Sequence, residues 1–450
     1  MALALRVGLV VGLASIGVST VSAGPGRSVL PSVSRVVLPA DAAVDSEQFA
    51  ALDSVSCTAA EDCVAVGSYF PRSGLDAPML ANETNGVWSA ARKIDLHGGT
   101  LDSPDSVSCT SSGNCVVVGA DTALIGAGLP QDVQGGGGGH AIVATQTRGV
   151  WGTARKIELP ANALTPAANQ STYLASVTCM GAGRCVAVGS YLDRSGAAQA
   201  MVATETRGAW SAASEVALPV NALATSGKQQ ASLDSVSCTS AENCIAVGSY
   251  QDTNGPSDQQ AMVVTETNGV WGPASEVELP ANAAVTPGSQ HAALNSVVCP
   301  GAGSCVAVGG YEDTVSDAQA MVVTRTGGIW GMARETRLPA KASPPATLDS
   351  ISCPRAGSCV AVGNVLGTSA ARIPMVASET NGVWGLASET TLPAHAVSGS
   401  HQEAALDSVA CPRSGDCVAS GEYTDYATYS LDPVGHEVTG TGAMALGPRP

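Results

Sequence analysis

Tyrosine and carboxylate side chains recur at matched places along this chain, and they are its best-suited groups for chemistry. Four strand-like runs exit through Tyr, one further residue and Asp: Tyr191 and Asp193, Tyr250 and Asp252, Tyr311 and Asp313, Tyr423 and Asp425. A phenol beside a carboxylate can grip a sugar or a peptide. The same residues can also pack and set a turn, as Asp does in "DRSG" and "DTNG". A second set, Asp53, Asp105, Asp234, Asp349 and Asp407, opens equivalent runs, with Asn295 and Ala175 in the same place of two others. Together these could ring the mouth of a channel and hold a cation or a basic group. They could equally cap backbone and bond between neighbouring units. A third set, Gln48, Gln170, Gln290 and Gln402, sits four residues before a recurring Leu, with Gln230 three before. Recurrence of that kind argues for structure, since a single active site breaks symmetry.

Catalytic signatures are missing. There is no nucleophile elbow, no HExxH and no phosphate loop. The histidines, His97, His140, His291, His395, His401 and His436, are scattered, and no unrepeated pair of carboxylates stands out as acid and base. "DTNGPSD" has some of the look of a calcium loop but lacks the full ligand spacing. No cofactor and no metal are expected, with calcium the nearest candidate.

The fourteen cysteines fall into seven pairs, each six positions apart: Cys57/Cys63, Cys109/Cys115, Cys179/Cys185, Cys238/Cys244, Cys299/Cys305, Cys353/Cys359 and Cys411/Cys417. Structural zinc takes four ligands, whereas each of these turns offers two cysteines and no histidine. An antiparallel hairpin across the turn brings the pair to disulfide distance. Disulfides require an oxidising compartment, and the N-terminus supplies one. Arg6 precedes an apolar run from Val7 to Val18, and Val21-Ser22-Ala23 fits a signal-peptidase site. Residues 1–23 therefore read as a secretory leader, too short to stay as a membrane span.

First cysteines follow one another at 52, 70, 59, 61, 54 and 58 residues, the period of a repeat architecture. Each unit holds four strand-like runs, seen in the fourth as "LDSVSC", "CIAVGSY", "AMVVTET" and "VWGPASEVELP". Asn268-Gly269 between the last two is a strong type I′ hairpin signal. Asn85-Gly86, Arg148-Gly149, Arg207-Gly208, Gly327-Gly328 and Asn381-Gly382 stand at the same point. The expected fold is all-β: a seven-bladed β-propeller of four-stranded antiparallel blades spanning residues 24–450. Its repeats start near residues 52, 104, 174, 233, 294, 348 and 406. The seventh unit stops after the start of a third strand, Ala443 to Leu446. "SRVVLPADAAV" near the N-terminus is an orphan fourth strand, roughly residues 34–38, expected to complete the last blade and seal the sheet edges.

Trp88, Trp151, Trp210, Trp271, Trp330 and Trp384 each follow the hairpin Gly by two positions. They read as blade-to-blade packing anchors, or alternatively as a ladder for stacking ligands. Propeller geometry puts the stapled turns and hairpins on one face and the longer, variable connections on the other. Variable loops on a rigid scaffold are where binding usually lives. The Tyr–Asp exits, the Asp ring and the Gln set all fall there. The second unit adds an insertion with glycines at Gly135–Gly139 before His140, a surface insertion or a flap over the site.

The pattern "SVSCTSAENCIAVGSY…TETNGVWGPASEV" resembles the Cys-pair propeller repeats of secreted actinobacterial proteins, over nearly the whole chain after the leader. It is partly similar to Asp-box, sialidase-type repeats, which place a Gly and a Trp at such a hairpin. Here the turn reads "TETNGVW", without the aspartate and with the Gly-to-Trp spacing one residue shorter. The GH…WD signature of WD40 blades is absent.

A formal charge of −17, one unit more negative without Arg6, repels phosphate backbones and disfavours nucleic acid as a partner. The expected protein is a secreted, monomeric, noncatalytic binding or interaction propeller. Its ligand is an extracellular glycan or protein on the long-loop face. The alternatives are a carbohydrate-active hydrolase or lyase using carboxylates on that face, and a structural protein of the cell envelope.

Overall fold

The computed structural model describes residues 33–43, 49–96, 101–122, 139–166, 170–225, 227–254, 258–367, 369–394, 396–397, 399–424, 430–431, 437–438 and 441–446. The expected leader, Gln48, the residues ahead of Gly139 in the glycine-rich insertion, and Asp425 lie outside them. No helix among the described residues is long and apolar enough to cross a membrane.

The architecture is an all-β propeller. Six complete blades, rather than seven, are built from consecutive chain; they span residues 50–93, 103–156, 173–215, 232–276, 293–335 and 343–389. In each, an inner strand pairs with a second, the second with a third, and the third with a fourth that is cut into two short pieces. The third blade shows the order: Tyr173–Gly181, Arg184–Leu192, Ala198–Thr206, then Ala209–Trp210 and Ser214–Glu215. The expected seventh unit makes a composite sheet instead. Ala404–Arg413 pairs with Asp416–Thr424, that strand pairs with Thr441–Leu446, and Val33–Arg35 forms the far edge. Val33, Ser34 and Arg35 stand opposite Leu446, Ala445 and Met444. The strand expected at residues 34–38 is thus shorter and begins earlier. Val36 is buried against the first blade, and the Val37 carbonyl accepts the Ala91 N–H at 2.8 Å.

The hairpin turns have the geometry that their residues demand. Asn268 and Gly269 sit at φ of 52° and 77°, and the five equivalent pairs are likewise both positive, as a type I′ turn requires.

All seven cysteine pairs are disulfides, and no described cysteine is free. The bonds are Cys57–Cys63, Cys109–Cys115, Cys179–Cys185, Cys238–Cys244, Cys299–Cys305, Cys353–Cys359 and Cys411–Cys417. Each joins inner and second strands of one sheet. The hydrogen-bonded ladder at the bond differs between units, however. Four pairs stand directly opposite in the ladder, as Cys238 does to Cys244. Cys299 and Cys305, Cys353 and Cys359, and Cys411 and Cys417 instead fall where the register shifts, and no ladder pairing joins them. Pro300, Pro354 and Pro412 follow the first cysteine in those three units, and a residue without an N–H weakens the ladder there. In the chain-entropy account each disulfide is worth about 2 kcal/mol.

The core is divided into layers between neighbouring blades. One layer sets Ile245, Val247 and Val263 of the fourth blade against Leu294, Tyr311 and Met321 of the fifth, with Trp330 packed on it. The tryptophans therefore act as packing anchors, with Trp88 and Trp151 the most deeply buried. Inner strands are also stitched by serine. The motif Ser-Val-Ser-Cys places its first hydroxyl on the N–H of the next inner strand. Ser54 accepts from Val107, Ser106 from Val177, Ser176 from Val236, Ser235 from Val297, Ser296 from Ile351 and Ser350 from Val409 at 3.1–3.3 Å. Ser408 of the composite sheet accepts from Val55 of the first blade at 3.0 Å.

Candidate functional site

The five aspartates at the start of the inner strands owe their placement to a bulge. In the third blade Leu174 pairs with Gly189 and Ser176 with Val188, so residue 175 is an extra residue outside the ladder. The same shift recurs in the other inner strands, placing Asp105, Asp234, Asn295, Asp349 and Asp407 at the extra position. The residue just before is buried, Leu as at Leu233 and Leu406 in six units and Pro104 in the second. The bulge explains the repeated glycine of "AVGSY" and its relatives. A Cβ on Gly189 would collide with the Tyr173 carbonyl oxygen, and one on Gly248 with that of Ser232. Glycine lets the bulged backbone lie directly on the second strand.

These five aspartates are half-buried and chemically uneven. Asp105, Asp234 and Asp349 each accept a bond from a hydroxyl two residues earlier: Ser103 at 3.1 Å, Ser232 at 2.9 Å and Thr347 at 3.2 Å. Asp349 also takes Asn364 Nδ2 at 3.1 Å and Asn295 Nδ2 at 3.4 Å. Burial raises their carboxyls, to about 7 for Asp105 and about 6 for Asp234 and Asp349, against the lowering pull of those hydroxyls. Asp53 and Asp407 have Ala51 and Ala405 where the hydroxyls would stand. Burial, then the charges of Asp105 and Glu422, push Asp53 up to about 8. Asp407 is raised well above the usual range by burial, then by Asp53, Glu422 and Asp349.

Glu422 breaks the symmetry. It follows Gly421 where the other units carry Ser68, Ala120, Ser190, Ser249, Gly310 and Asn364. Its Oε1 lies 3.7 Å from Arg372 Nη1. Burial raises its carboxyl, Arg372 lowers it and Glu403 raises it again. Asp53 and Asp407, both with raised carboxyls, thus interact with an unrepeated Glu–Arg pair. Among the described residues, no three His, Cys, Asp or Glu are grouped to hold a metal ion.

The other sequence candidates lie farther out. Tyr191, Tyr250, Tyr311 and Tyr423 are fully buried. The Tyr191 hydroxyl meets Asn162 at 2.9 Å and Glu215 at 2.8 Å; Tyr250 meets Asn221 and Glu276, and Tyr311 meets Asn282 and Glu335, in the same way. These phenols tie second-strand exits to interblade loops, which explains the Asn of "LPAN". Asp193 accepts from the Ser195 and Ala197 backbones and from Gln199, and Asp313 from Val315, Asp317 and Gln319. Asp252 takes Asn254 and Gln260. Gln170 clamps both backbone groups of Leu192. In the fourth unit Gln229, not Gln230, fills that role on Gln251. His140 Nδ1 lies 2.8 Å from Asp121, which also meets Lys156 Nζ at 3.5 Å.

The cysteines supply no reactive group to any site. The second of each pair, Cys63, Cys115, Cys185, Cys244, Cys305, Cys359 and Cys417, is buried in the interblade core as well as bridged. These sulfurs pack like small apolar side chains. Their partners are buried only at Cys238, Cys353 and Cys411 and half-buried in the other four units.

Sequence reasoning passed over Glu422 and Arg372. The signal was present, since "SGEYT" puts an acid where six other units have none. It also passed over the third-strand residues opposite the tryptophans: Glu83, Gln146, Glu205, Glu266, Arg325 and Glu379.

No family model matches the chain, and no curated protein is similar to it. The resemblance to secreted actinobacterial repeat proteins therefore rests on the repeated sequence pattern alone. Solved structures do share the fold. An ulvan lyase of polysaccharide lyase family PL25 is 8% identical over 96% of each chain, with a TM-score of 0.51. A structure of PL25 ulvan lyase bound to -[GlcA(1-4)Rha3S]- is 9% identical over 96% of each chain, with a TM-score of 0.50. A Hadza microbial sialidase is 11% identical over 76% of this chain and 66% of its own, with a TM-score of 0.40.

Proposed function

We propose that this is a secreted binding propeller whose ligand enters the long-loop mouth of the axial channel and is held by the ring carboxyls. One observation supports the reading: the aspartates sit at matched bulges of the inner strands, and charges couple Asp53 to Asp105 and Asp407 to Asp53 and Asp349. The reading takes the composite sheet as a seventh blade, closed by Val33–Arg35. The pairing with Met444–Leu446 and the Ser408–Val55 bond support it. Carboxyls in this arrangement accept hydroxyl or ammonium donors, so the ligand is a neutral glycan or a basic group of a protein. A polyanion would meet a chain of charge −17. The outer Tyr–Asp exits are assigned to loop architecture in this reading.

The unrepeated Glu422–Arg372 pair beside raised Asp53 and Asp407 favours a second reading of equal standing, a carbohydrate-active enzyme. Clustered carboxyls with raised pKa beside an arginine are a setting in which acid–base chemistry is found. The fold shared with a polysaccharide lyase is compatible with it. The test presents the chain without its leader to a glycan array and, in parallel, to a panel of polysaccharides. Saturable binding that Glu422→Gln weakens but that proceeds without turnover fits the binder. Turnover abolished by Glu422→Gln fits the enzyme. Binding or turnover indifferent to Asp53→Asn, Asp407→Asn and Glu422→Gln alike overturns the channel mouth as the site.

A further inference from the structure

The opposite face, where disulfide turns and hairpins lie, carries clefts between neighbouring blades. One of about 420 Å³ separates the second and third blades, and one of about 860 Å³ the fifth and sixth. Both fall within the span of small-molecule sites, roughly 300–1,000 Å³. Their walls are built from equivalent positions. The first has Val116, Val143, Thr145, Thr147 and Arg155 on one side, with Glu205 and Trp210 on the other. The second has Val306, Val322, Thr324, Thr326 and Arg334, facing Glu379 and Trp384.

Glu and Trp in each cleft are direct cross-strand neighbours, Glu205 with Trp210 and Glu379 with Trp384. Their polar atoms are unusual. Glu205 and Glu379 are more than nine-tenths buried, and each has its Oε2 buried without a hydrogen-bond partner. Trp210 and Trp384 each bury an indole N–H that also has none. Buried polar groups nearly always find partners, and leaving one unmade costs about 1–3 kcal/mol, more for a charged group. The packing role of Trp explains the ring but not the orphaned carboxylate beside it. Glu83 and Glu266 repeat the orphaned oxygen in other blades, so the pattern belongs to the repeat and is not a local accident.

We infer that the clefts between the second and third blades and between the fifth and sixth each bind one neutral, hydroxyl-rich sugar residue. The sugar's apolar face packs on the indole, and its hydroxyls donate to the glutamate and accept from the arginine. A carboxylate with an aromatic ring would also suit a cation. Arg155 in one cleft repels one, and in the other Arg334 and Arg337 balance Glu335 and Glu379. The cleft between the fourth and fifth blades is the internal contrast. There Arg325 stands where the others have the glutamate paired with Trp, and no tryptophan lines the wall, although Glu266 of the fourth blade does; without the indole face it does not take the same ligand. These sites lie on the face away from the channel-mouth acids and are independent of that reading.

The test is a tryptophan-fluorescence titration of the leaderless chain with free D-glucose, D-galactose, D-mannose, L-fucose, L-rhamnose and N-acetylglucosamine at millimolar concentrations. A saturable change with at least one sugar is expected. The double variant Glu205→Gln, Glu379→Gln should weaken it about tenfold, the loss of a charge-assisted bond at each site. Unchanged circular dichroism would show that the variant folds. If it does not fold, Thr145→Ala with Thr324→Ala, which trims the opposite walls, replaces it and should also weaken binding. Glu422→Gln should leave this signal intact, which separates failure here from failure at the channel mouth. No saturable change with any of the six sugars, or full-strength binding in a folded cleft variant, overturns the inference.

Discussion

Ser408 Oγ accepts the backbone N–H of Val55 at 3.0 Å across 353 residues of sequence. It is the same bond that every other inner strand makes with its neighbour, yet it joins the composite sheet to the first blade. The chain thus uses one repeated side chain for a local contact six times and for a contact between distant parts of the chain once.

Replacing that serine should therefore cost more than replacing its counterparts. Ser408→Ala leaves the Val55 N–H unpaired, a loss of about 1–3 kcal/mol. Ser235→Ala removes the equivalent bond between consecutive blades. Thermal melts should show both variants destabilised by a few degrees, with Ser408→Ala also opening the junction to proteolysis. Equal protease resistance in the two would contradict a special role for Ser408.

The raised ring carboxyls set the pH dependence of stability. At pH values below 3.8 both folded and unfolded chains carry the Asp53 proton, and the group contributes no penalty. As pH rises toward about 8 the unfolded chain releases it while the folded chain retains it, so stability falls across that window and levels off above it. Asp407 acts in the same direction. Asp53→Asn with Asp407→Asn should raise the melting temperature at pH 8 by several degrees, at roughly 1 °C per kcal/mol relieved for a chain of this length. At pH 4 the gain should vanish, and a gain equal at both pH values would show that charge is not its source.

Arg148 and Arg207 hold positive φ, at 51° and 54°, in turns where Asn85, Asn268 and Asn381 hold 52°. Left-handed backbone strains an arginine and suits asparagine. Arg148→Asn and Arg207→Asn should each stabilise by about 0.5–1 kcal/mol, read as a higher urea midpoint at an unchanged slope. A lower midpoint would mean that the arginines make contacts outweighing the strain.

Gly189→Ala tests the bulge. The added methyl would meet the Tyr173 carbonyl carbon and oxygen and the Leu174 Cα. This is backbone that cannot swing aside. A loss above about 3 kcal/mol, or failure to yield soluble protein, is expected. By contrast, Gly196→Ala has open space around it and only a left-handed backbone to strain. A mild Gly189→Ala phenotype would mean that the inner strand can give up its bulge without loss.

Much of this was legible because the chain repeats its own instructions. The Cys spacing, the Asn-Gly turns and the Trp two residues beyond them follow from local geometry, and local geometry survives into the fold. Even so, the spacing did not show that Cys305, Cys359 and Cys417 would meet their partners inside a register shift, since that depends on how the turn is hydrogen-bonded. The bounds of the N-terminal strand were less legible, because Val36 could serve either sheet and packing on the first blade claims it. Gln230 was preferred over its neighbour although Gln229 keeps the four-residue offset of the other units. The Tyr–Asp exits look like ligand groups in a sequence, since nothing there shows that Asn162 and Glu215 wait for the Tyr191 hydroxyl. Repetition also hid the exceptions. Glu422 differs from its counterparts at one position of one unit, and a carboxylate among many draws little notice until Arg372 is seen beside it. The orphaned glutamates were invisible for a different reason. Whether a polar atom lacks a partner depends on everything around it, and no spacing rule records that.

Every disulfide closes over a separation of six residues. The next cysteine after Cys63 is Cys109, so a wrong pairing must close a much longer loop, disfavoured about twentyfold by the statistics of chain closure. Oxidation can thus proceed correctly as each hairpin emerges, with little need for reshuffling. The crosslinks never pass from one sheet to another. A reductant would loosen each hairpin separately and leave the blades held to one another, as before, by hydroxyls and buried methyl groups.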